Sequence, residues 1–468
     1  MHKLALLPLI LILSACAVGP DYKRPQVNIG VEYKASEDYA ENTGWVPASP
    51  NDDELRSDWW VWFSDPRLNG LMQTMLESNF ELEKAQAQYR QAQASLKAAH
   101  SGFFPGVGLN ASSTSSGSGS GSEVQTQYSG GATVSWEPDL WGRIRRTTEG
   151  ASAGAAATRA DLELTRLSLQ STLAQTYFQW LGVNSEIDLM QKTVEAYEQG
   201  LKTTQNRLNV GVATPADVAS ATMQLESARG QLQSLSWQRS QLENALAALQ
   251  GKVPSDFILQ AGDLNSVSAP RVPVGLPSEL LQRRPDVAAA ERRMQQANAN
   301  IGVAKAAWFP DLTLSAQGGY RSGSWSSWLT APARFWSLGP ALALTIFDGG
   351  LRSARVDEAL ANYDVQAAAY KQTVIDALKE VEDLLVELSS LDKEISIHNR
   401  TLQASTESLN MVRNQYNAGM VDYLSVIQVE TSHLNAQRTA ISLQTNKLNL
   451  VVKLITALGG GWDQKNNK

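Results

Sequence analysis

Two kinds of hydrophobic spacing alternate along the chain, and the alternation predicts the architecture. In the long stretches, apolar residues stand three and four apart in a narrow stripe. One runs Ile187, Met190, Val194, Tyr197, Leu201, Thr204 and Leu208; the next runs Leu225, Ala228, Leu232, Leu235, Arg239, Leu242, Leu246 and Leu249. So narrow a stripe is a coiled-coil seam rather than the broad face of a globular helix. Val381, Leu388, Ile395, Leu402, Leu409 and Tyr416 form a third seam, and Ile427, Leu434, Ile441, Leu448 and Ile455 a fourth. The companion positions of the third pass from Leu378 and Leu385 to Asp392, Asn399, Thr406 and Arg413, so its far end is expected to face wetter surroundings. A helix from Ile144 to Leu208 would reach about 98 Å at 1.5 Å per residue, too long for a compact globule.

Between these stretches the period drops to two. Tyr128, Gly130, Ala132, Val134 and Trp136 alternate with Gln127, Ser129, Gly131, Thr133 and Ser135. Leu312, Leu314 and Ala316 alternate with Thr313, Ser315 and Gln317, and Leu338, Leu342, Leu344 and Ile346 with Ser337, Gly339, Ala341, Ala343 and Thr345. Apolar residues on one face and small or polar ones on the other, at about ten residues per strand, match a transmembrane β-barrel. A soluble hairpin fits the alternation equally well. Two features favour the barrel: Ser112–Ser122 and Arg321–Arg334 read as solvated external loops, and Trp136, Trp308, Trp325, Trp328 and Trp336 gather at strand ends as an interfacial belt would.

An internal repeat organises the rest. Asn206-Arg-Leu-Asn209-Val-Gly211 returns as Asn414-Gln-Tyr-Asn417-Ala-Gly419; Phe104-Pro105 returns as Phe309-Pro310; Asp139 with Arg143 returns as Asp348 with Arg352. Each half then reads as helix, two strands, long helix, tight turn and long helix, giving four strands per chain. Four strands cannot close a membrane barrel, and an open edge in lipid leaves backbone groups unpaired. Two copies give about eight strands and a filled bore, whereas three give about twelve and an aqueous lumen. The expected fold is a mixed α and β membrane protein: a trimeric twelve-stranded barrel continued by long helices as a hollow cylinder.

Composition narrows the chemistry. The chain has 468 residues, 43% hydrophobic and 19% charged, with a net charge of −7, one Cys and four His. These numbers exclude disordered and disulfide-framed classes, and they leave too few ligands for a zinc or iron–sulfur site. No cofactor and no metal are expected. The acidic balance argues against nucleic acid. No phosphate loop, no nucleophile elbow and no His-Glu-x-x-His motif appears, so an enzyme is not expected, and His398 and His433 read as residues on solvated helix faces. A pore-less coiled-coil scaffold would need no lipid-facing strands.

The apolar run Leu4–Leu13 is about half a spanning helix and reads as a leader. Behind it Leu13-Ser14-Ala15-Cys16 resembles the bacterial lipobox, in which the Cys is acylated; each buried CH2 would contribute about 0.8 kcal/mol to anchoring. Ala17 and Val18 follow, with no inner-membrane retention Asp, so the outer membrane is the expected destination.

Gly19-Pro20-Asp21-Tyr22, Gly275-Leu276-Pro277-Ser278 with Leu280-Leu281 and Arg284-Pro285-Asp286, the twin Phe-Pro strand entries and the twin Asn-x-Gly turns together resemble the TolC-type outer-membrane channels, specifically the lipoprotein branch serving multidrug efflux pumps. The resemblance implies a homotrimeric exit duct for small toxic compounds, anchored in outer-membrane lipid and projecting into the periplasm. It implies docking to a periplasmic membrane-fusion (adaptor) protein and an inner-membrane efflux transporter, with Gly211, Val212, Gly419 and Met420 as adaptor-contact tips. Channels of type I protein secretion and of metal-ion efflux are the alternatives. The chain divides into a signal peptide (1–15), a lipidated segment around the tunnel waist (16–65), the first repeat (66–250), a Pro-rich crossover (251–285), the second repeat (286–458) and a tail (459–468). Family members close the periplasmic end with carboxylates and polar links, which here implies a gate of Asp217, Asp422, Ser425 and Gln428. The match is partial, because the Arg that some members place after the second turn is Val421. Asp217 reads equally as a carboxylate at a helix N-terminus.

Overall fold

The computed structural model describes residues 17–25, 58–117, 124–260, 262–270, 272 and 284–460. Cys16, the whole 26–57 stretch and the core of the crossover motif, including Gly275 to Ser278, lie outside the described residues. The elements are α1 (Pro66–Ser78), α2 (Phe80–Ser101), β1 (Gly106–Ser116), β2 (Gln125–Trp136), α3 (Arg143–Asn209), α4 (Pro215–Leu249), α5 (Pro285–Ala306), β3 (Asp311–Ser322), β4 (Arg334–Ala343), α6 (Leu351–Asn417) and α7 (Tyr423–Ala457). The duplication reappears as matched lengths: α2 and α5 have 22 residues each, α3 and α6 67 each, α4 and α7 35 each.

Two compact units divide the chain. The first draws on Met1–Val27, Ala87–Ala160 and Ala289–Thr373, the second on Asn28–Gln86, Asp161–Ala288 and Val374–Lys468. The first holds an antiparallel sheet of order β1-β2-β3-β4. Its register aligns the apolar positions across all four strands: Val107 stands opposite Val134, Val134 opposite Ala316, and Ala316 opposite Leu338. In the single chain this face is bare, with Leu109 88%, Trp336 82% and Leu338 74% exposed. Strand β1 outruns the expected loop, since Ser112 to Ser116 are paired. Small hydroxyl side chains fit a strand there because they satisfy one another, as in Ser112 to Ser129 (2.8 Å) and Ser115 to Thr126 (2.9 Å). At the loop end the Trp328 indole lies across Gly130, donates to the Tyr320 carbonyl (3.2 Å) and packs on Trp325. A Cβ on Gly130 would collide with that ring.

Strand and helix join through an aspartate in each repeat. Asp348 accepts from the Arg352 Nε (2.6 Å), and Asp139 accepts from the backbone amides of Ile144 and Arg145 and from the Arg145 side chain. The Asp139–Arg143 pairing suggested by the repeat does not form. Glu137, whose counterpart at an offset of 209 is Ile346, takes Arg143 instead (3.0 Å).

The second unit carries the main core. Trp59, Phe63, Leu68, Met72 and Met75 pack on Leu173, Tyr177 and Phe178 of α3, with Val381, Leu385 and Leu388 of α6 and Val452 and Ile455 of α7. Asp65 caps α1 by accepting from the Arg67 amide (2.8 Å) and also accepts from the buried Tyr177 hydroxyl (2.6 Å); burial, then that bond, pushes Tyr177 well above its ordinary value. The first coiled coil forms as its seam predicts, with Ile187, Met190, Ala228 and Leu235 buried and Leu434 of α7 packed against them. Where α3 meets α7, Gly182 lies so close to Thr445 that a Cβ would overlap its side chain.

The polar half of the α6 seam is wetter, as expected, with Asn399, Thr406 and Arg413 exposed, and it is also bridged. Asp392 pairs with Lys447 (2.6 Å), His398 Nε2 lies 2.8 Å from the Ala436 carbonyl, Ser405 meets His433 Nδ1 at 3.0 Å, and Arg413 pairs with Glu430 (2.9 Å). Both histidines are therefore interhelical contacts rather than residues on a solvated face, because each finds a polar atom on the opposite helix.

Two outcomes follow. Gly182→Val should cost about 1–3 kcal/mol by overpacking and lower the thermal midpoint, while Gly230→Val, where nothing stands within 4 Å, should not; equal midpoints would refute the close approach. Burial and then the Arg413 charge hold His433 below its ordinary value of 6.5. The hairpin's stability is thus complete above about pH 6.5 and falls as pH drops towards the lowered value. A His433→Gln variant should lack that step in a melting series, and a wild-type profile retained by the variant would refute it.

Candidate functional site

The two helical hairpins end in the same turn. Gly211 (φ 77°) and Gly419 (φ 74°) occupy the left-handed region that glycine adopts without strain. The Gly211 amide donates to the Leu208 carbonyl and the Val212 amide to that of Arg207; the Gly419 amide donates to Tyr416 and the Met420 amide to Gln415. This pattern closes the carbonyls of α3 and α6 and turns apolar side chains outward, with Val210, Val212 and Met420 about three-quarters exposed (74%, 73% and 73%).

The helices that follow start on side-chain caps, reciprocal in α4. In α4, Thr214 is the N-cap and Asp217 the third helical residue; the Asp217 carboxylate accepts from the Thr214 amide (2.8 Å) and hydroxyl (2.9 Å). In α7 the roles are exchanged, with Asp422 as N-cap accepting from the Ser425 amide (3.0 Å) and hydroxyl. The Ser425 hydroxyl and then its amide hold Asp422 below the usual carboxylate range, so it stays charged. Gln428 is exposed, and its carbonyl accepts from Ser432. The structure thus brings Asp422 and Ser425 into contact, sets Asp217 on its own helix start, and leaves the Gln428 side chain in solvent.

The contacts that join the two coiled coils lie elsewhere. Gln224 of α4 donates to the Tyr197 hydroxyl of α3 (2.9 Å) and to Thr431 of α7 (3.0 Å). The Arg207 guanidinium of α3 sits 4.4 Å over the Tyr416 ring of α6, which packs on Tyr423 (5.6 Å). Burial, with Glu430 next, pushes the Tyr423 hydroxyl up. For Tyr416 the signal is the failure of the repeat, since at an offset of 208 it corresponds to Leu208; within the second hairpin Arg413 and Glu430 likewise correspond to Gln205 and Thr222.

Directly after Cys16 the chain is tied down. The Val18 amide donates to the Trp141 carbonyl (3.1 Å), Arg146 pairs with Asp21 (2.9 Å), Asn298 donates to the Pro20 carbonyl (2.9 Å), and Arg24 and Tyr22 both reach the buried Glu291. Gly19 and Gly302 approach so closely that no Cβ would fit between them. In the second unit, Arg284 of the crossover motif pairs with Asp286 (2.7 Å) and Glu380 (2.6 Å) and donates to the Ala457 carbonyl (2.9 Å).

Comparison with known proteins agrees with this geometry. The chain matches the family described as "Outer membrane efflux protein" over residues 71–252 and 276–460. It is 30% identical to the toluene efflux pump outer membrane protein TtgF of Pseudomonas putida, over 96% of this chain and 95% of that one. It is 29% identical to the cation efflux system protein CusC of Escherichia coli, over 99% and 100%. The solved outer-membrane channel OprN superposes with a TM-score of 0.87 at 30% identity, over 96% of this chain and all of that one. Four strands per chain with two open edges become a twelve-stranded barrel in a trimer, continued into the periplasm by the helices as a tunnel. The chain belongs to the outer membrane efflux protein family and forms the outer-membrane exit duct of an efflux pump.

Proposed function

We propose that the duct is the terminal, passive part of a tripartite pump, taking small toxic compounds from an inner-membrane transporter through a periplasmic adaptor that grips the twin turns at Gly211, Val212, Gly419 and Met420. The observation that carries this reading is the pair of exposed apolar turns, Val210, Val212 and Met420, at the ends of two polar-surfaced hairpins. Exposed apolar residues gathered at one point favour a protein partner. Relatives named for toluene and for cations stand at nearly the same identity, which supports a duct that leaves cargo selection to the transporter.

In this reading the mouth carries a ring of charged Asp422 with neutral Ser425 and Gln428. Asp217 holds the first turn in shape, while Gln224 and Arg207 latch the two coiled coils together. Lipidation of Cys16 anchors the chain, and the tight attachment of residues 17–25 supports a fixed anchor point. Labelled palmitate should be incorporated into the wild type, and Cys16→Ser should abolish it; surviving label would refute the lipid anchor. In planar bilayers, Gln428→Asp should raise cation selectivity by adding three carboxylates to the mouth. Asp217→Ala, which removes a capping interaction of about 1 kcal/mol, and Gln224→Ala should each raise conductance. Unchanged selectivity and conductance in all three would place the mouth elsewhere.

A further inference from the structure

The sheet carries a charge pattern of its own, distinct from that at the helical turns. Along the polar face of the described sheet two side chains are charged, and both belong to β3: Asp311 at its helix-bearing end and Arg321 near its loop end. All other side chains on that face are neutral, mostly Gly, Ser, Thr, Asn and Gln. The face is identified by register, since Arg321 pairs with Ser129 and Gly319 with Gly131 and Phe335, in rows that alternate with the apolar ones. With the apolar rows against lipid, this face lines the lumen.

Arg321 is held rather than free to sweep. Its guanidinium lies 4.5 Å from the centroid of Phe335, the one aromatic ring on the polar face of the described strands. Gly319, the cross-strand partner of Phe335, and Gly131 lie backbone to backbone in the next row, with no side chain to displace the arginine. Among the described residues Arg321 has no carboxylate partner. Asp311 differs, because it lies in the field of Arg143. A cation fixed over an aromatic face keeps its charge and its outward N–H donors, and a guanidinium presents those donors in a fork that fits oxyanions.

Three-fold symmetry repeats the pair at one height. We propose that Arg321, seated on Phe335 in each of the three chains, forms a cationic ring at the extracellular mouth that binds the carboxylate, sulfonate or phosphate groups of outgoing solutes and favours anion passage. The ring faces water in the lumen, so its ligands are soluble oxyanions rather than bilayer headgroups. It rests on the exit-duct reading, and because the screening length is about 10 Å at 0.1 M salt and about 3 Å at 1 M, its effect belongs to low ionic strength.

The test uses purified full-length trimers in planar bilayers under a KCl gradient, with trimer integrity checked by gel mobility. Wild type and Arg321→Lys should share one chloride-to-potassium permeability ratio at low salt. Arg321→Gln should lower it by about twofold or more, and Phe335→Ala should lower it less; the differences should close at 1 M KCl. Tripolyphosphate added on the side of the β1–β2 and β3–β4 hairpins should block wild type and spare Arg321→Gln. A conducting Arg321→Gln trimer with the wild-type ratio and block overturns the ring and leaves the duct intact. Loss of the preference in Arg321→Lys, where the charge remains, also overturns it. A trimer that conducts nothing overturns both readings.

Discussion

A strand edge in hydrocarbon leaves a row of N–H and C=O groups with no partner, at a cost of several kcal/mol each. The sheet of this chain has two such edges, β1 and β4, and an apolar face that includes Val107, Leu109, Leu338 and Leu342. No helix among the described residues is long and apolar enough to span a bilayer, and the solved outer-membrane channels that share this fold carry the same four-stranded sheet. Closing it with copies of itself removes the edges, and twelve strands give the first bore wide enough for water. The trimer is thus a condition of the chain's being in a membrane at all. The 67-residue helices α3 and α6 inherit the consequence, because their strands fix them as staves of the tunnel.

Duplicated elements would by themselves give two equivalent hairpins, and the structure shows where equivalence stops. Both turns use the same glycine geometry, yet the caps exchange their chemistry, Thr214 with Asp217 in one and Asp422 with Ser425 in the other. Both hairpins bury apolar seams, around Met190 and Leu235 in the first and Leu388 and Leu448 in the second, but the first adds the ion pair Arg229–Glu198 where the second adds Asp392–Lys447, Ser405–His433 and Arg413–Glu430. Exposed or half-exposed ion pairs contribute little stability, with a median of about 0–1 kcal/mol.

Much of this was legible in residue spacing. Seams at three and four, strands at two and a repeat near 208 positions lead to the helices, the sheet, its lipid face and the trimer, because those features are set by periodicity and by backbone satisfaction. What spacing could not supply was partnership. His398 and His433 look like surface residues until Ala436 and Ser405 are found opposite them. Asp139 was matched to Arg143 by the repeat, but Glu137 competes for that arginine. Gln224 carries no motif, and its bonds to Tyr197 and Thr431 exist only once three helices are in place. Arg321 was assigned to a loop because serines and tryptophans surround it, while strand pairing extends through Ser322.

The same distinction bears on how a passive duct can have preferences. Its wall is nearly featureless on the lumen side of the sheet, a surface of small neutral residues that neither holds nor repels a passing solute. In such a wall a single charge dominates the local potential, since no carboxylate among the described residues pairs with it and low-dielectric walls focus its field. Duplication and three-fold symmetry then act differently on it. Duplication does not copy Arg321, since at an offset of 205 its counterpart Ser116 carries no charge; symmetry copies it three times at one height. Features that symmetry repeats and duplication does not are the ones able to form a ring without filling the bore.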